Sequence, residues 1–161
     1  MKTVVLFAAF TGGVLLLLFS LAYIVGIDPL SSVRWLSYVL FVATLWYSVR
    51  YYKRYERVGT KFSFGHGLKS GILFNLIATL FYAIPLIIAA IISGLPRVLE
   101  WGKKRLAEKA ELQAESVSAA EEVLRTTLDQ VTVYGLLMHD ILFQLLLGAL
   151  FSILAGVYFR D

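Results

Sequence analysis

YGLLMHDILFQLLLGALFSILAGVYF, residues 134–159, decides the fold. Its one acid, Asp140, sits in a run otherwise free of formal charge. As a helix rising 1.5 Å per residue, the run is long enough to cross a hydrocarbon core of about 30 Å while satisfying its own backbone. Asp140, Gln144, Gly148, Ser152 and Gly156 recur every fourth residue and so share one slowly drifting helix face. Gly148, Ser152 and Gly156 allow another backbone to approach closely, gaining dispersion contacts that lipid does not equally supply. An unpaired Asp140 at mid-helix would cost about 2.5 to 3.5 kcal/mol on the insertion scale, so this carboxylate requires a partner or water.

Three more apolar runs lie upstream, at about 3–25, 33–49 and 67–94. With 59% apolar and 16% charged residues and a mean hydropathy of +0.77, the chain reads as an integral membrane protein rather than a soluble domain. The expected fold is therefore all-α: a single four-helix membrane bundle over 1–161, with a helical hairpin outside the membrane at 95–133, between the third and fourth spans. The first run is too long for a signal peptide and no small-x-small cleavage site follows Gly26. Asp28-Pro29 is expected to stop the first helix, since proline cannot continue the hydrogen-bond ladder. Arg34 and Trp35 mark one interface of the second span, and Trp46, Tyr47, Tyr51 and Tyr52 the other.

Arg50, Lys53, Arg54, Arg57, Lys61 and Lys69 face a single acid, Glu56, in the segment that follows, interleaved with tyrosines and phenylalanines. This predicts a helical extension near the lipid headgroups, where Arg50, Lys53, Arg54, Arg57 and Lys61 snorkel. Gly59 and Phe64-Gly65-His66-Gly67 are expected to break regularity before the third span, and Pro85 to kink it. Residues 95–133 carry six bases and seven acids, a near balance that suits water. Leu99, Leu106, Ala110 and Val117 form a heptad-like stripe on one arm; Ser118 to Glu121 has capping-box spacing and opens the other, with Leu124 and Leu128 on its apolar face.

With the N terminus inside, eight basic residues lie inside and seven outside, but those of the central loop are concentrated beside two spans with almost no acid. Both termini are therefore expected on the cytoplasmic side. The +4 net charge speaks to anionic lipid and orientation, not to nucleic acid. Absence of cysteine excludes disulfides, thiolate metal sites and cysteine nucleophiles.

On the third span Gly67, Gly71, Asn75, Ala78, Tyr82 and Pro85 make a second small and polar seam, with Asn75 suited to a hydrogen bond between helices worth about 0.6 to 2 kcal/mol. The helix-packing set is thus Gly71, Asn75, Gly148, Ser152 and Gly156. Asp140, Gln144 and His139 form a candidate ion or proton site, although adjacent His139 and Asp140 diverge by about 100 degrees on an ideal helix. His66, between two glycines, reads as an exposed interfacial histidine, with pH sensing or phosphate binding as the alternative. Serine-hydrolase, Walker and zinc-protease signatures are absent, and the hairpin acids alternate with bases as solvated pairs. No metal, cofactor or enzyme activity is implied.

Trp46 through Arg54, Lys61-Phe62-Ser63-Phe64-Gly65-His66-Gly67-Leu68-Lys69-Ser70-Gly71, the Pro85-bearing span, the charged insertion and the glycine-containing last span together resemble an uncharacterised family of small four-helix membrane proteins common in Bacteroidetes. The resemblance covers nearly the whole chain. It implies a multi-pass protein of a bacterial inner membrane and transfers no catalytic residue. The expected function is a non-enzymatic scaffold or accessory subunit that packs with its own copies or with a larger membrane complex. The alternative is a small transporter or ion-conducting component built around Asp140, Gln144 and Asn75.

Overall fold

The computed structural model describes residues 1–113 and 131–161. Among them are five α-helices and no strand: α1 Lys2–Val25, α2 Ser32–Tyr51, α3 Phe64–Ser93, α4 Pro96–Gln113 and α5 Val133–Phe159. Helices α1, α3 and α5 are long and apolar enough to cross a membrane; α2, punctuated by Arg34, Ser37, Thr44 and Ser48, is less apolar and is not among them.

Each apolar run becomes a helix, but the signals that end them differ from expectation. Gly26, in the left-handed region at φ 86°, closes α1: its N–H donates to Tyr23 O, and that of Ile27 to Ala22 O at 2.9 Å. Asp28 instead shapes the following turn, its Oδ1 accepting the Leu30 N–H at 2.9 Å. Helix α2 runs on into a π-helical turn, Tyr52–Glu56, which is the predicted extension in a wider winding. Phe64 to Gly67, expected to be irregular, is the first turn of α3. Ser63 caps that turn reciprocally with His66, whose Nδ1 accepts the Ser63 N–H at 3.3 Å. His66 thus serves as a helix cap. Helix α3 continues through Pro85 to Ser93.

Helix α3 is the organising element. It packs along α5 on one side and α1 on the other, while α2 completes the group by touching α1, α3 and α5. The interior between them holds Leu15, Phe41, Leu45, Phe74, Tyr82 and Leu137, all essentially without solvent exposure. Outward faces are also apolar: Leu6, Phe10, Leu17, Ile92, Leu146 and Tyr158 are exposed. Apolar surface on both sides of a helix is what hydrocarbon, not water, accommodates.

Helix α4, the first arm of the expected hairpin, lies against one end of this group. Val98 is fully buried, Trp101 meets Tyr23 edge-on at 6.0 Å, and a Cβ on Gly102 would fall 2.3 Å from Leu136. Arg105 pairs with Asp28 at 2.9 Å and donates to Leu30 O at 2.6 Å, tying α4 to the α1–α2 turn. The second arm, with Val117, the Ser118 to Glu121 box, Leu124 and Leu128, lies outside the described residues.

Candidate functional site: a buried ion pair and its hydrogen-bond chain

Antiparallel packing brings the start of α2, the middle of α3 and the second turn of α5 to one level. There Arg34, which sequence reading assigned to the interface, is buried and meets Asp140. Its Nε donates to Asp140 Oδ1 at 2.5 Å and its Nη2 to Gln144 Oε1 at 2.8 Å. Tyr38 donates to Asp140 Oδ1 at 2.7 Å and Tyr82 to Oδ2 at 3.0 Å. The carboxylate therefore accepts three hydrogen bonds, two from neutral hydroxyls and one from a cation. Both tyrosine rings also flank the guanidinium, with Arg34 Cζ 4.7 Å from the Tyr38 centroid and 4.6 Å from that of Tyr82.

The chain of polar groups continues inward. Gln144 Nε2 donates to Thr79 Oγ1 at 3.3 Å, Thr79 Oγ1 to Asn75 Oδ1 at 3.4 Å, and Asn75 Nδ2 to Leu145 O at 2.9 Å. Removing a lone charge from water is very costly, whereas a neutral pair surrounded by hydrogen-bonding groups recovers much of that cost. This cluster is neutral and its members are bonded to one another, which is how a low-dielectric interior tolerates it.

Below Gln144 the same face of α5 changes task. A Cβ on Gly148 would lie 2.2 Å from Asn75 Oδ1, one on Gly71 2.6 Å from Ser152 Oγ, and one on Gly67 2.7 Å from Gly156 Cα. Thus Asn75, Gly71 and Gly67 descend α3 against Gly148, Ser152 and Gly156 of α5, step for step. The two seams read from sequence as packing surfaces face each other within the chain. Gly12 makes a matching approach of α1 to α3, where a Cβ would lie 2.5 Å from Ala78 O; sequence reading did not single it out.

His139 is exposed and does not join Asp140. It lines a cavity of about 340 Å³ with Arg34, Tyr38, Arg105 and Asp140, on the α4 side of the ion pair. Among the described residues no group of His, Cys, Asp and Glu could hold a metal ion.

At the opposite end, Arg50, Lys53, Arg54 and Arg57 line one pocket of about 450 Å³; Lys61 is exposed outside it. Lys53 is fixed by Asp161 at 2.5 Å and by Phe159 O at 2.8 Å, and Arg57 Nε donates to Tyr52 OH at 3.1 Å. Asp161 Oδ2 accepts the Phe62 N–H at 2.6 Å. Hydrogen bonds from Lys53 and the Phe62 amide, with the charges of Lys53 and Lys61, hold the Asp161 carboxyl below its ordinary range.

Sequence reading missed Arg34, Tyr38 and Tyr82 as partners of Asp140. One signal was available: before Arg50, Arg34 is the sole charge in its apolar run, as Asp140 is in its own. Two isolated opposite charges on helices of one bundle are natural partners.

A family model described as "Protein of unknown function (DUF4199)" matches residues 6–161, and the chain belongs to that family. No curated protein and no solved structure matches it.

Proposed function

We propose that this member of the DUF4199 family is a non-enzymatic, four-span protein of a bacterial inner membrane, of Bacteroidetes type. In this reading it is a scaffold or accessory subunit that associates with its own copies or with a larger membrane complex, both termini facing the cytoplasm. The observation that carries it is the self-sufficiency of the polar core. Asp140 is neutralised by Arg34 and accepts two further hydroxyls, so an incoming cation would have to displace bonded partners while facing a guanidinium. Such a core favours a fixed helix arrangement over ion uptake.

Support for a fourth span comes from the course of α2 beside α5. Arg34 stands next to Asp140, and Lys53, beyond the other end of α2, next to Asp161. A helix that accompanies a membrane-crossing neighbour over that distance crosses with it. Because the glycine seams are used within the chain, a partner would meet the outer apolar faces, such as Leu6, Phe10 and Leu17 of α1 or Leu146 and Leu150 of α5.

The second reading, a small transporter or ion-conducting component, is favoured by the cavity that reaches Asp140 and by the hydrogen-bond chain leading on to Asn75. Cross-linking in native membranes followed by native-gel separation tests the two. A band larger than the single chain, with no ion flux from the purified protein in vesicles, is the expected result. A monomer that passes an ion in vesicles, and loses that flux in an Asp140→Asn variant whose circular dichroism shows it still folded, overturns the scaffold reading.

A further inference from the structure

Helices α2 and α5 leave between them an open groove of about 710 Å³ on the outer surface, walled by Val39, Val42, Ala43 and Trp46 on one side and Leu147 and Phe151 on the other. Trp35 and Arg50 mark its two ends. At 1.5 Å per residue these ends are about 22 Å apart, more than the depth of one leaflet, about 15 Å as half a hydrocarbon core. Arg50 also lines the basic pocket with Lys53, Arg54 and Arg57, so groove and pocket meet at one side chain. Trp46 of the groove also packs at a tilt against Phe159 of the pocket wall, with ring centroids 5.0 Å apart.

The charge at this junction is unbalanced. Lys53 is held by Asp161, and the side chain of Glu56 accepts the Thr3 N–H at 2.8 Å. Among the described residues, no carboxylate comes within ion-pair distance of Arg50, Arg54 or Arg57. Arg50 at the end of α2, Arg54 in the π turn and Arg57 just beyond it all line that one pocket. Guanidinium forks match phosphate oxygens in pairs. An apolar slot long enough to take an acyl chain through the depth of one leaflet, ending at a cationic, phosphate-matched pocket, has the shape and charge of one amphiphile.

We propose that this junction is a binding site for an anionic glycerophospholipid, with one acyl chain in the α2–α5 groove and the phosphate against Arg50, Arg54 and Arg57. The site goes beyond the scaffold reading and requires only that the protein lies in a bilayer. It is distinct from general headgroup attraction, because it needs the groove as well as the charge.

The experiment is native mass spectrometry of the full chain in non-ionic detergent, titrated with phosphatidylglycerol, with phosphatidylcholine of the same acyl chains, and with inorganic phosphate. Phosphatidylglycerol is expected to bind about tenfold or more tighter than phosphatidylcholine, the scale set by two to three cations near an anionic headgroup. The variant Arg50→Gln with Arg54→Gln is expected to abolish that preference while phosphatidylcholine binding persists. Ala43→Trp, at an exposed position, is expected to weaken both lipids, and Val39→Trp, also exposed, repeats the test on the same wall. Equal binding of the two lipids by the unaltered chain overturns the proposal. So does inorganic phosphate competing at the same concentration as phosphatidylglycerol, or retained lipid affinity in folded groove variants. Because lipid binding is read on single chains, its failure leaves the assembly reading untouched, and the reverse holds as well.

Discussion

Arg34 and Asp140 stand 106 residues apart in sequence and 2.5 Å apart in space, each almost wholly buried. The pair ties the start of α2 to the second turn of α5, and through Tyr82, and through Gln144 bonded to Thr79, it fixes α3 to both. Its value to the fold lies in what happens when it is broken: either charge alone would be stranded in a low-dielectric interior.

Arg34→Met and Asp140→Asn are each expected to destabilise the protein by about 3 to 5 kcal/mol, the cost of an unpaired buried charge. The double variant leaves no charge behind and is expected to lose less than the sum, with a coupling of about 0.5 to 3 kcal/mol. Unfolding in mixed detergent micelles, followed by circular dichroism, measures all three. Strictly additive losses would show that the two residues act separately.

Closeness of α3 and α5 supplies a second prediction. At Gly67 an added Cβ meets backbone, Gly156 Cα at 2.7 Å, so the helices must separate; at Gly13 nothing lies within 4 Å. Gly67→Ala is expected to lower stability by about 1 to 3 kcal/mol through overpacking, whereas Gly13→Ala should be neutral or gain up to about 1 kcal/mol from the reduced backbone entropy of the unfolded chain. Thermal unfolding of the two variants side by side decides it. Equal melting temperatures would mean that the seam is slack.

How far the sequence reaches is visible in these same residues. The helix spans at 3–25, 67–94 and 134–159 match α1, α3 and α5 to within a few residues, because hydrocarbon length and apolar composition are properties of contiguous chain. The four-residue recurrence from Asp140 to Gly156 was legible for the same reason, since helical periodicity is local, and in the structure that face of α5 lies against α3 and Arg34. What the face packs against is not local. Gly148 meets Asn75 and Asp140 meets Arg34 only after α2, α3 and α5 have come together, and the same small residues would read identically if they faced a second molecule. Arg34, near the end of its run, satisfied every local criterion for an interfacial arginine. The stretch from Phe64 to Gly67 was misread for the opposite reason: the glycines around His66 suggested a break in regularity, but the Ser63 cap and the apolar run behind it make that stretch helical.

Acid should loosen the Lys53 end of the bundle. A carboxyl whose folded pKa is depressed contributes stability that is present above its unfolded value and lost as pH falls through the folded one. For Asp161, with an ordinary value of 3.8 and a lowered folded value, the contact with Lys53 and the Phe62 N–H is complete at neutral pH and opens only below the usual carboxylate range. Hydrogen exchange at the Phe62 amide, corrected for its intrinsic pH dependence, is expected to rise in that acid window and to be already fast, with a flat profile, in Asp161→Asn. An unaltered profile in that variant would show that another group controls this end.

Absence of native cysteine makes the topology directly measurable, since a single introduced thiol reports without background. Thr60, in the turn after the π segment, and Lys103, on α4, lie at opposite ends of the helix group, because α3 runs the whole way between those segments. If α2 crosses the membrane with α1, α3 and α5, Thr60→Cys in intact cells is shielded from an impermeant maleimide and labels only after permeabilisation. Lys103→Cys is expected to label from outside without it. Neither position is buried in the core, so the variants keep the fold and the labelling reads orientation alone. The reversed pattern would place the arginine cluster of Arg50, Arg54 and Arg57 on the external face, against the concentration of positive charge beside those spans. Labelling of both positions from the same side would mean that α3 does not cross, and the four-span arrangement would fall with it.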